Sequence, residues 1–177
     1  MAIVFDMQIC HLDKKLETQN KIIKQLKPNI KPYISANRCI EFHPVSNTFV
    51  NEYGKVAGQL SLSPKYVSIA SSLDDRREDD INDDEILKLT LHMYDILKKI
   101  DTFDLALVGW ELGFLSNYLT FDTNREVTEV ADVEGLVINK SLTRQIKLPP
   151  DFIPFSKTHF WVPVESMPGN MFGDDED

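Results

Sequence analysis

The stretch ILKLTLHMYDILKKIDTFDLALVGW, residues 86–110, decides the fold because it places a helix directly before a strand that is apolar on both faces. Apolar residues recur at helical spacing in its first half and predict a core-facing stripe, formed by Ile86, Leu89, Met93, Leu97 and Ile100. Asn82 and Glu85 precede this stripe as a capping-box-like start, and two lysines end the helix. The run FDLALVGW, residues 103–110, is too apolar for a half-exposed strand and predicts a central one.

The segments on either side of this stretch predict a second helix and several strands. Residues 2–9 are apolar and β-prone, and Asp13 can cap a helix that runs to about Lys27, before Pro28. Short β-like runs follow between residues 33 and 72. The runs EVTEVADV and GLVINKSL predict a hairpin about residues 132–135, and HFWVPV, residues 159–164, predicts a last strand.

Together these elements predict one α+β domain, with a mainly antiparallel or mixed β-sheet packed with two principal helices. The domain spans residues 1–167, and residues 168–177 form an acidic C-terminal tail. A chain of 177 residues and 20.3 kDa buries roughly 70% of the surface that its unfolded chain exposes. A chain of this length rarely needs a second core, so one domain is expected.

The N-terminal residues and the cysteine count indicate a cytoplasmic protein. No apolar run approaches the roughly 20 residues that cross a bilayer, and the first residues carry Asp6 and no basic region of a signal peptide. Cys10 and Cys39 cannot form a disulfide framework. We therefore expect two buried, inert thiols in a reducing compartment.

Charge is distributed unevenly along the chain, whose formal net charge is −9. Residues 74–85, DDRREDDINDDE, carry a net charge of −6, and the last four residues add −4, which leaves the remaining body at +1. Residues 14–31 carry a net charge of +5. Because like charges repel, such clusters persist where they are solvated or where a partner supplies the opposite sign. Both interpretations, a solvated loop and a recognition surface, follow from this pattern.

Metal-binding patterns are incomplete, so we expect no metal and no cofactor. Adjacent Cys10 and His11 point to opposite faces of a strand, which opposes a zinc site shared with Cys39 and His43. Asp80, Asn82 and Asp84 repeat at every second position, as in a calcium loop. An EF-hand counted from Asp80 requires glycine at its sixth position and glutamate at its twelfth, and these positions hold Glu85 and Leu91.

Sequence signatures of catalysis and of nucleic-acid binding are also missing. The chain has no GxSxG elbow, no Walker A sequence and no GxGxxG. The basic segment lacks interleaved arginine and aromatic residues, and the acidic stretches would oppose contact with DNA or RNA. We therefore expect a protein that is not an enzyme, binds no nucleic acid directly and has no membrane partner.

The first functional hypothesis is a stoichiometric inhibitor that occludes the basic active-site cleft of a nuclease or another cationic toxin. Complementary charge accelerates such an encounter. The predicted partner-binding residues are Asp74, Asp75, Glu78, Asp79, Asp80, Asp83, Asp84, Asp174, Asp175 and Glu176. Affinity would also require apolar or aromatic anchors, and the candidates are Tyr53, Tyr66, Phe172 and Trp161.

In size, acidity and absence of a catalytic signature, with DDRREDDINDDE and GDDED as its acidic segments, the chain resembles the small immunity proteins of bacterial polymorphic or contact-dependent toxin systems. The resemblance is one of class and covers the whole chain without a diagnostic motif. It implies a cytoplasmic antitoxin that binds one cognate basic toxin, one to one, and acts by occlusion.

Two alternatives remain open. An acidic mimic of nucleic acid, encoded by a phage or mobile element, would occupy a DNA-binding protein, although the +5 segment opposes an extended negative face. A small enzyme would need a site assembled from scattered polar residues, of which Glu111, His92 and Tyr118 are the candidates.

Overall fold

The helix and the strand that decide the fold form where the sequence predicts them. In a computed structural model, α2 spans Asp83–Leu97, and the Asn82 side chain caps it by accepting a hydrogen bond from the Glu85 backbone N–H at 2.9 Å. The strand β7, Leu105–Trp110, is buried at every position. Both predictions are confirmed, and the structure places β7 inside the sheet.

The structure describes residues 2–12, 16–35, 39–50, 56–65, 67–70, 82–110, 112, 115–122, 127–144 and 146–164. The first half of the chain contains β1 (Ala2–His11), α1 (Leu16–Leu26), β2 (Tyr33–Ile34), β3 (Cys39–Ile40), β4 (Phe42–Val50), β5 (Val56–Pro64) and β6 (Ser68–Ala70). After α2 and β7 come a 3-10 turn (Leu115–Tyr118), β8 (Leu119–Phe121), β9 (Val127–Val130), β10 (Val137–Asn139), β11 (Ile153–Pro154) and β12 (His159–Trp161).

The main sheet is antiparallel at every described pairing, with β7 in the middle of the strand order and β1 beside it. Its strand order is β11-β12-β10-β7-β1-β5-β4, and β6 pairs with the first residues of β1. Two small pairs, β2 with β3 and β8 with β9, lie outside it. The prediction of an α+β fold with two helices and a mainly antiparallel sheet is confirmed.

The predicted hairpin about residues 132–135 is wrong. β9 pairs with β8 and not with β10. β10 instead joins the main sheet between β7 and β12. Gly135 has a φ of +83°, a conformation that an L side chain rarely adopts, and its carbonyl accepts a hydrogen bond from the buried Tyr94 hydroxyl at 2.8 Å. This turn therefore directs the chain toward β7 instead of back along β9.

The two faces of the sheet carry different residues because side chains alternate along each strand. On one face, α1 and α2 pack with Phe5, Met7 and Ile9 of β1 into a large apolar core. On the other face, a smaller core around Leu105 and Leu107 of β7 is covered by the 3-10 turn, β8 and β9. None of the helices in the described part of the chain is both long and apolar enough to cross a membrane.

Candidate functional site

Two of the ten predicted partner-binding acids lie within the described residues. Asp83 and Asp84 occupy the first turn of α2 together with Glu85, and both aspartates are exposed. Carboxylates at this position are stabilised by the positive end of the helix dipole. The other eight lie outside the described residues: Asp74, Asp75, Glu78, Asp79, Asp80, Asp174, Asp175 and Glu176.

Two exposed apolar residues lie on α2, which the acidic turn begins, and on β2, which contacts α2. The rings of Tyr33 and His92 meet with their centroids 5.6 Å apart, which holds the β2–β3 pair against α2. Ile34 follows Tyr33 and is 75% exposed, and Leu91 precedes His92 and is 41% exposed. Burial raises the pKa of the Tyr33 hydroxyl, with a further contribution from the neighbouring Glu85 carboxylate. Tyr33 thus links β2 to the acidic turn, Ile34 follows it in that strand, and Leu91 lies on the same helix as the turn.

Of the four aromatic anchors that the sequence predicts for a partner surface, Trp161 is the one that lies within the described residues. Trp161 is half-buried and packs against Tyr94 and Phe155, with ring centroids 5.2 and 5.1 Å apart, and Lys98 lies over its ring. It belongs to an aromatic cluster at the C-terminal half of α2 rather than to an exposed surface. Tyr53, Tyr66 and Phe172 lie outside the described residues.

The cysteines weighed for zinc binding differ in exposure, and Asp80 of the calcium-like repeat lies outside the described residues. Cys10 is buried, and burial, with the nearby Asp104 charge, raises the pKa of its thiol to about 12. Cys39 is exposed, so the expectation of two buried thiols is wrong for it, because it faces outward from the short strand β3. Among the described residues, no three histidine, cysteine or acidic side chains come together in a way that could hold a metal ion.

Of the residues weighed for an enzyme site, His92 and Tyr118 lie on opposite faces of the sheet. His92 contacts Tyr33 and stacks on Phe42 on the helix side. Tyr118 packs against the smaller core on the opposite side. Glu111 lies outside the described residues. The structure therefore does not bring His92 and Tyr118 together.

A buried polar cluster that the sequence analysis missed lies at the centre of the sheet, on the face away from the helices. We call Asp6, Gln8, Gln59 and Ser61 the sheet-face cluster. Gln8 donates from Nε2 to the Leu112 carbonyl at 2.8 Å and more weakly to Asp6 Oδ2 at 3.4 Å. Gln59 donates to Gln8 Oε1, and the Ser61 side chain hydrogen bonds to Asp6. Asp6, Gln8 and Gln59 are buried, and Ser61 is half-buried.

The carboxyl group of Asp6 is the electrostatically unusual member of this cluster. It is 7% exposed, and its Oδ1 has no hydrogen-bond partner in the described part of the chain. Burial raises its pKa from 3.8 to about 6, and the hydrogen bonds from Gln8 and Ser61 counteract that rise only in part. Buried polar atoms are nearly always hydrogen bonded in native proteins, so Asp6 Oδ1 requires an explanation.

The sequence does carry a signal for this cluster. Asp6 and Gln8 alternate with Phe5, Met7 and Ile9, which places two polar residues on one face of an otherwise apolar strand. Such a face is ordinarily assigned to solvent. What the pattern alone cannot give is the burial, because it depends on β5 and on the segment that contains Leu112.

Comparison of the chain with family models, with curated proteins and with solved structures finds no match. Any proposal on function therefore rests on the chemistry of these two places, the surface at the start of α2 and the sheet-face cluster.

Proposed function

We propose that the protein is a binding protein of the immunity type, which captures one basic protein partner at the surface that begins α2 and blocks that partner's active site. We call this the α2 surface and define it by Asp83, Asp84, Ile34 and Leu91. The acidic residues 74–80 precede it directly in the chain. The partner would be a cationic toxin, with a nuclease as the preferred class, and the encounter would take place in the cytoplasm.

The observation that supports this proposal most is the exposure of Leu91 on the helix that the acidic turn begins and of Ile34 on the strand that contacts this helix. Charge alone accelerates encounter and selects a partner, but tight complexes also need apolar anchors that become fully buried. In α2, Asp84, Lys88, Leu91 and Asp95 are all exposed and follow one another at spacings of three and four residues, so Leu91 lies along one outward face with charged neighbours. This combination suits a protein surface that has an apolar centre and a basic rim.

The same observation distinguishes this proposal from the nucleic-acid mimic. A mimic presents regularly spaced negative charge to a site that has evolved to bind phosphates. An exposed isoleucine and leucine have no counterpart on a phosphate backbone. The α2 surface therefore favours a partner that contributes apolar side chains as well as lysine and arginine.

The proposal is tested by capturing partners from the native host on the immobilised full chain and measuring their association and dissociation rates. We expect one basic protein bound one to one. The combined replacement of Asp79, Asp80, Asp83 and Asp84 by Asn should slow its association several-fold at low salt, and added salt should shrink the difference.

The apolar anchors are tested separately. Combining Ile34→Ser with Leu91→Ser should accelerate dissociation at least tenfold, because hot-spot truncation acts mainly on that rate. Ile153→Ser is the matched control, since Ile153 is 46% exposed but lies on the outermost strand β11 at the far edge of the sheet. Rates that respond equally to both sets of serine variants, or to neither, contradict the α2 surface as the binding site.

A further inference from the structure

Exposed residues of α2 and of its C-terminal end form a stripe in which acids and bases alternate. They follow one another at spacings of three and four residues, and residues at these spacings share one face of a helix. Lys98, the C-cap, keeps the helical backbone conformation, so the stripe continues to the end of the helix. We call this set the α2 stripe, and its members are Asp84, Lys88, Leu91, Asp95, Lys98 and Lys99.

Leu91 is the midpoint of the α2 stripe, and the charges on its two sides are opposite in sign. Asp84 lies seven residues before Leu91, and Lys98 lies seven residues after it. Lys88 lies three residues before Leu91, and Asp95 lies four residues after it. Each acid on one side of the midpoint therefore has a base at a matching distance on the other side.

This arrangement makes the α2 stripe complementary to a second copy of itself. When two α2 helices lie side by side in antiparallel orientation, with the Leu91 residues together at a two-fold axis, Asp84 of each copy faces Lys98 of the other. In the same orientation Lys88 of each copy faces Asp95 of the other. A parallel pair places every charge opposite its like, so complementary charge selects the antiparallel orientation.

We propose that the protein forms a symmetric homodimer in which the α2 stripes of two copies pair in antiparallel orientation about Leu91. Such a two-fold interface uses the same surface patch on both subunits, which a self-complementary stripe provides. The 15 residues of α2 make a helix about 22 Å long. One pair of helices of this length buries less than the roughly 1,200 Å² of a standard interface. The dimer is therefore a weak one, which dissociates on dilution.

Salt bridges within one helix account for only part of the pattern. Lys98 contacts Asp95 of the same chain at 3.0 Å, but these side chains are 45% and 67% exposed, so solvent screens their attraction. This contact also leaves Leu91 unexplained, which is 41% exposed among charged neighbours. In the dimer the two Leu91 side chains remove apolar surface of each other from water.

Self-pairing covers Asp84 and Leu91, which also belong to the α2 surface. The dimer is consequently a resting form that a basic partner has to open, and this consequence alone rests on the proposed function. The dimer itself is tested on the purified chain without any partner. A chain that stays monomeric leaves the proposed function untouched, and a failure to capture a basic partner leaves the dimer untouched.

The dimer is tested by sedimentation velocity of the full chain over a range of protein concentrations. We expect a monomer–dimer equilibrium at low salt that shifts several-fold toward monomer in about 0.5 M sodium chloride, because salt screens exposed charges. Lys88→Glu and Asp95→Lys should each weaken the dimer about tenfold, since each substitution creates two symmetric pairs of like charge. The two variants change the net charge in opposite directions, so an effect of net charge cannot weaken both.

An equimolar mixture of the two variants gives the decisive measurement. In a mixed dimer each repelling pair becomes an attracting one, so the mixture should associate as tightly as the unaltered chain. Residues 88 and 95 are seven positions apart in one helix, about 10 Å along its axis, so a contact within one chain cannot produce this recovery. Glu129→Lys, at an exposed acid of β9, is the matched control and should leave the dimer unchanged.

Two results overturn the proposal. One is a chain that stays monomeric at low salt at every concentration. The other is a mixture of Lys88→Glu and Asp95→Lys that associates no more tightly than either variant alone.

Discussion

Met7 and Gln8 are neighbours in β1, and they show how differently the two faces of the sheet are built. Met7 is fully buried among apolar side chains on the helix side. Gln8 is almost as deeply buried on the other side, but its neighbours are Asp6, Gln59 and a backbone carbonyl. One face gains free energy by removing apolar surface from water. The other requires every polar atom to find a partner, and Asp6 Oδ1 has none in the described chain.

This difference separates a face that stabilises the fold by apolar packing from a face whose buried polar groups need hydrogen-bond partners. A well-packed apolar face tolerates little change in volume and holds the strands in register. A buried polar group that is left without a partner lowers stability, and such groups concentrate at functional sites. We therefore expect mutations on the two faces to change the free energy of unfolding in opposite directions.

The largest effect is expected on the apolar face. Met7→Ala removes a fully buried side chain that lies opposite Leu62, and it should lower the free energy of unfolding by about 2–5 kcal/mol. Leu91→Ala, which truncates an exposed residue of α2, should change it by less than about 1 kcal/mol. Urea unfolding of the two variants measures both values. Similar losses would mean that the helix side of the sheet is not the main source of stability.

On the polar face, replacing Asp6 should stabilise the protein at neutral pH. The folded-state pKa of Asp6, about 6, lies above its value of 3.8 in the unfolded chain, so the folded protein binds more protons between these values and loses stability as pH rises through this window. The loss amounts to about 3 kcal/mol. Asp6→Asn removes this dependence.

Unfolding by urea at pH 4 and at pH 7.5 measures the effect as a difference. The stability of Asp6→Asn relative to the unaltered chain should increase from the lower to the higher pH. Because the two proteins are compared with each other at each pH, the contributions of the other titrating groups to stability cancel. Parallel pH curves for the two proteins would show that Asp6 is not desolvated.

The smallest effect is expected at His159, a buried polar residue whose ring nitrogens both have partners. Its Nε2 lies 3.0 Å from the Phe103 carbonyl, and its Nδ1 lies 2.9 Å from the Thr158 hydroxyl. Burial lowers the pKa of His159, and the Phe103 hydrogen bond and the Asp101 charge oppose that shift. A lowered folded-state pKa means that stability is lost as pH falls through the unfolded value near 6.5.

His159→Gln should therefore flatten the decline in stability between pH 7 and pH 5, and His43→Gln, at an exposed histidine, is the control variant. Urea midpoints at these two pH values give the comparison. The sign is opposite to that at Asp6, whose protonation favours the folded state over part of the same range. A decline that survives in His159→Gln would assign the acid sensitivity to another group.

The elements that local sequence determines were predicted well. In α2, the cap, the apolar stripe and the terminal lysines agree with one another, and β7 is apolar throughout, so neighbouring residues specify both elements. The placement of β10 was not predictable in this way. It depends on the contact of Tyr94 with the Gly135 turn, and these residues are far apart in sequence.

The candidate site likewise has features that local sequence specifies and features that depend on contacts between distant segments. Asp83 and Asp84 follow from charge and capping patterns, whereas the exposure of Ile34 depends on the pairing of β2 with β3 beside α2. Asp6 is visible in the sequence as a polar residue in an apolar strand. Its burial requires two non-local pairings, with β5 and with β7, that no local pattern specifies.

The position of β1 also affects when the chain can fold during its synthesis. This strand leaves the ribosome before both of its long neighbours, yet it pairs with residues 58–62 and 105–110. Until Trp110 has been made, at least one edge of this strand, which is mainly apolar on its helix side, lacks its hydrogen-bonding neighbour, and unpaired strand edges are prone to aggregation. The nascent chain is therefore expected to fold late, and early release or a stall before β7 should yield a species that depends on chaperones.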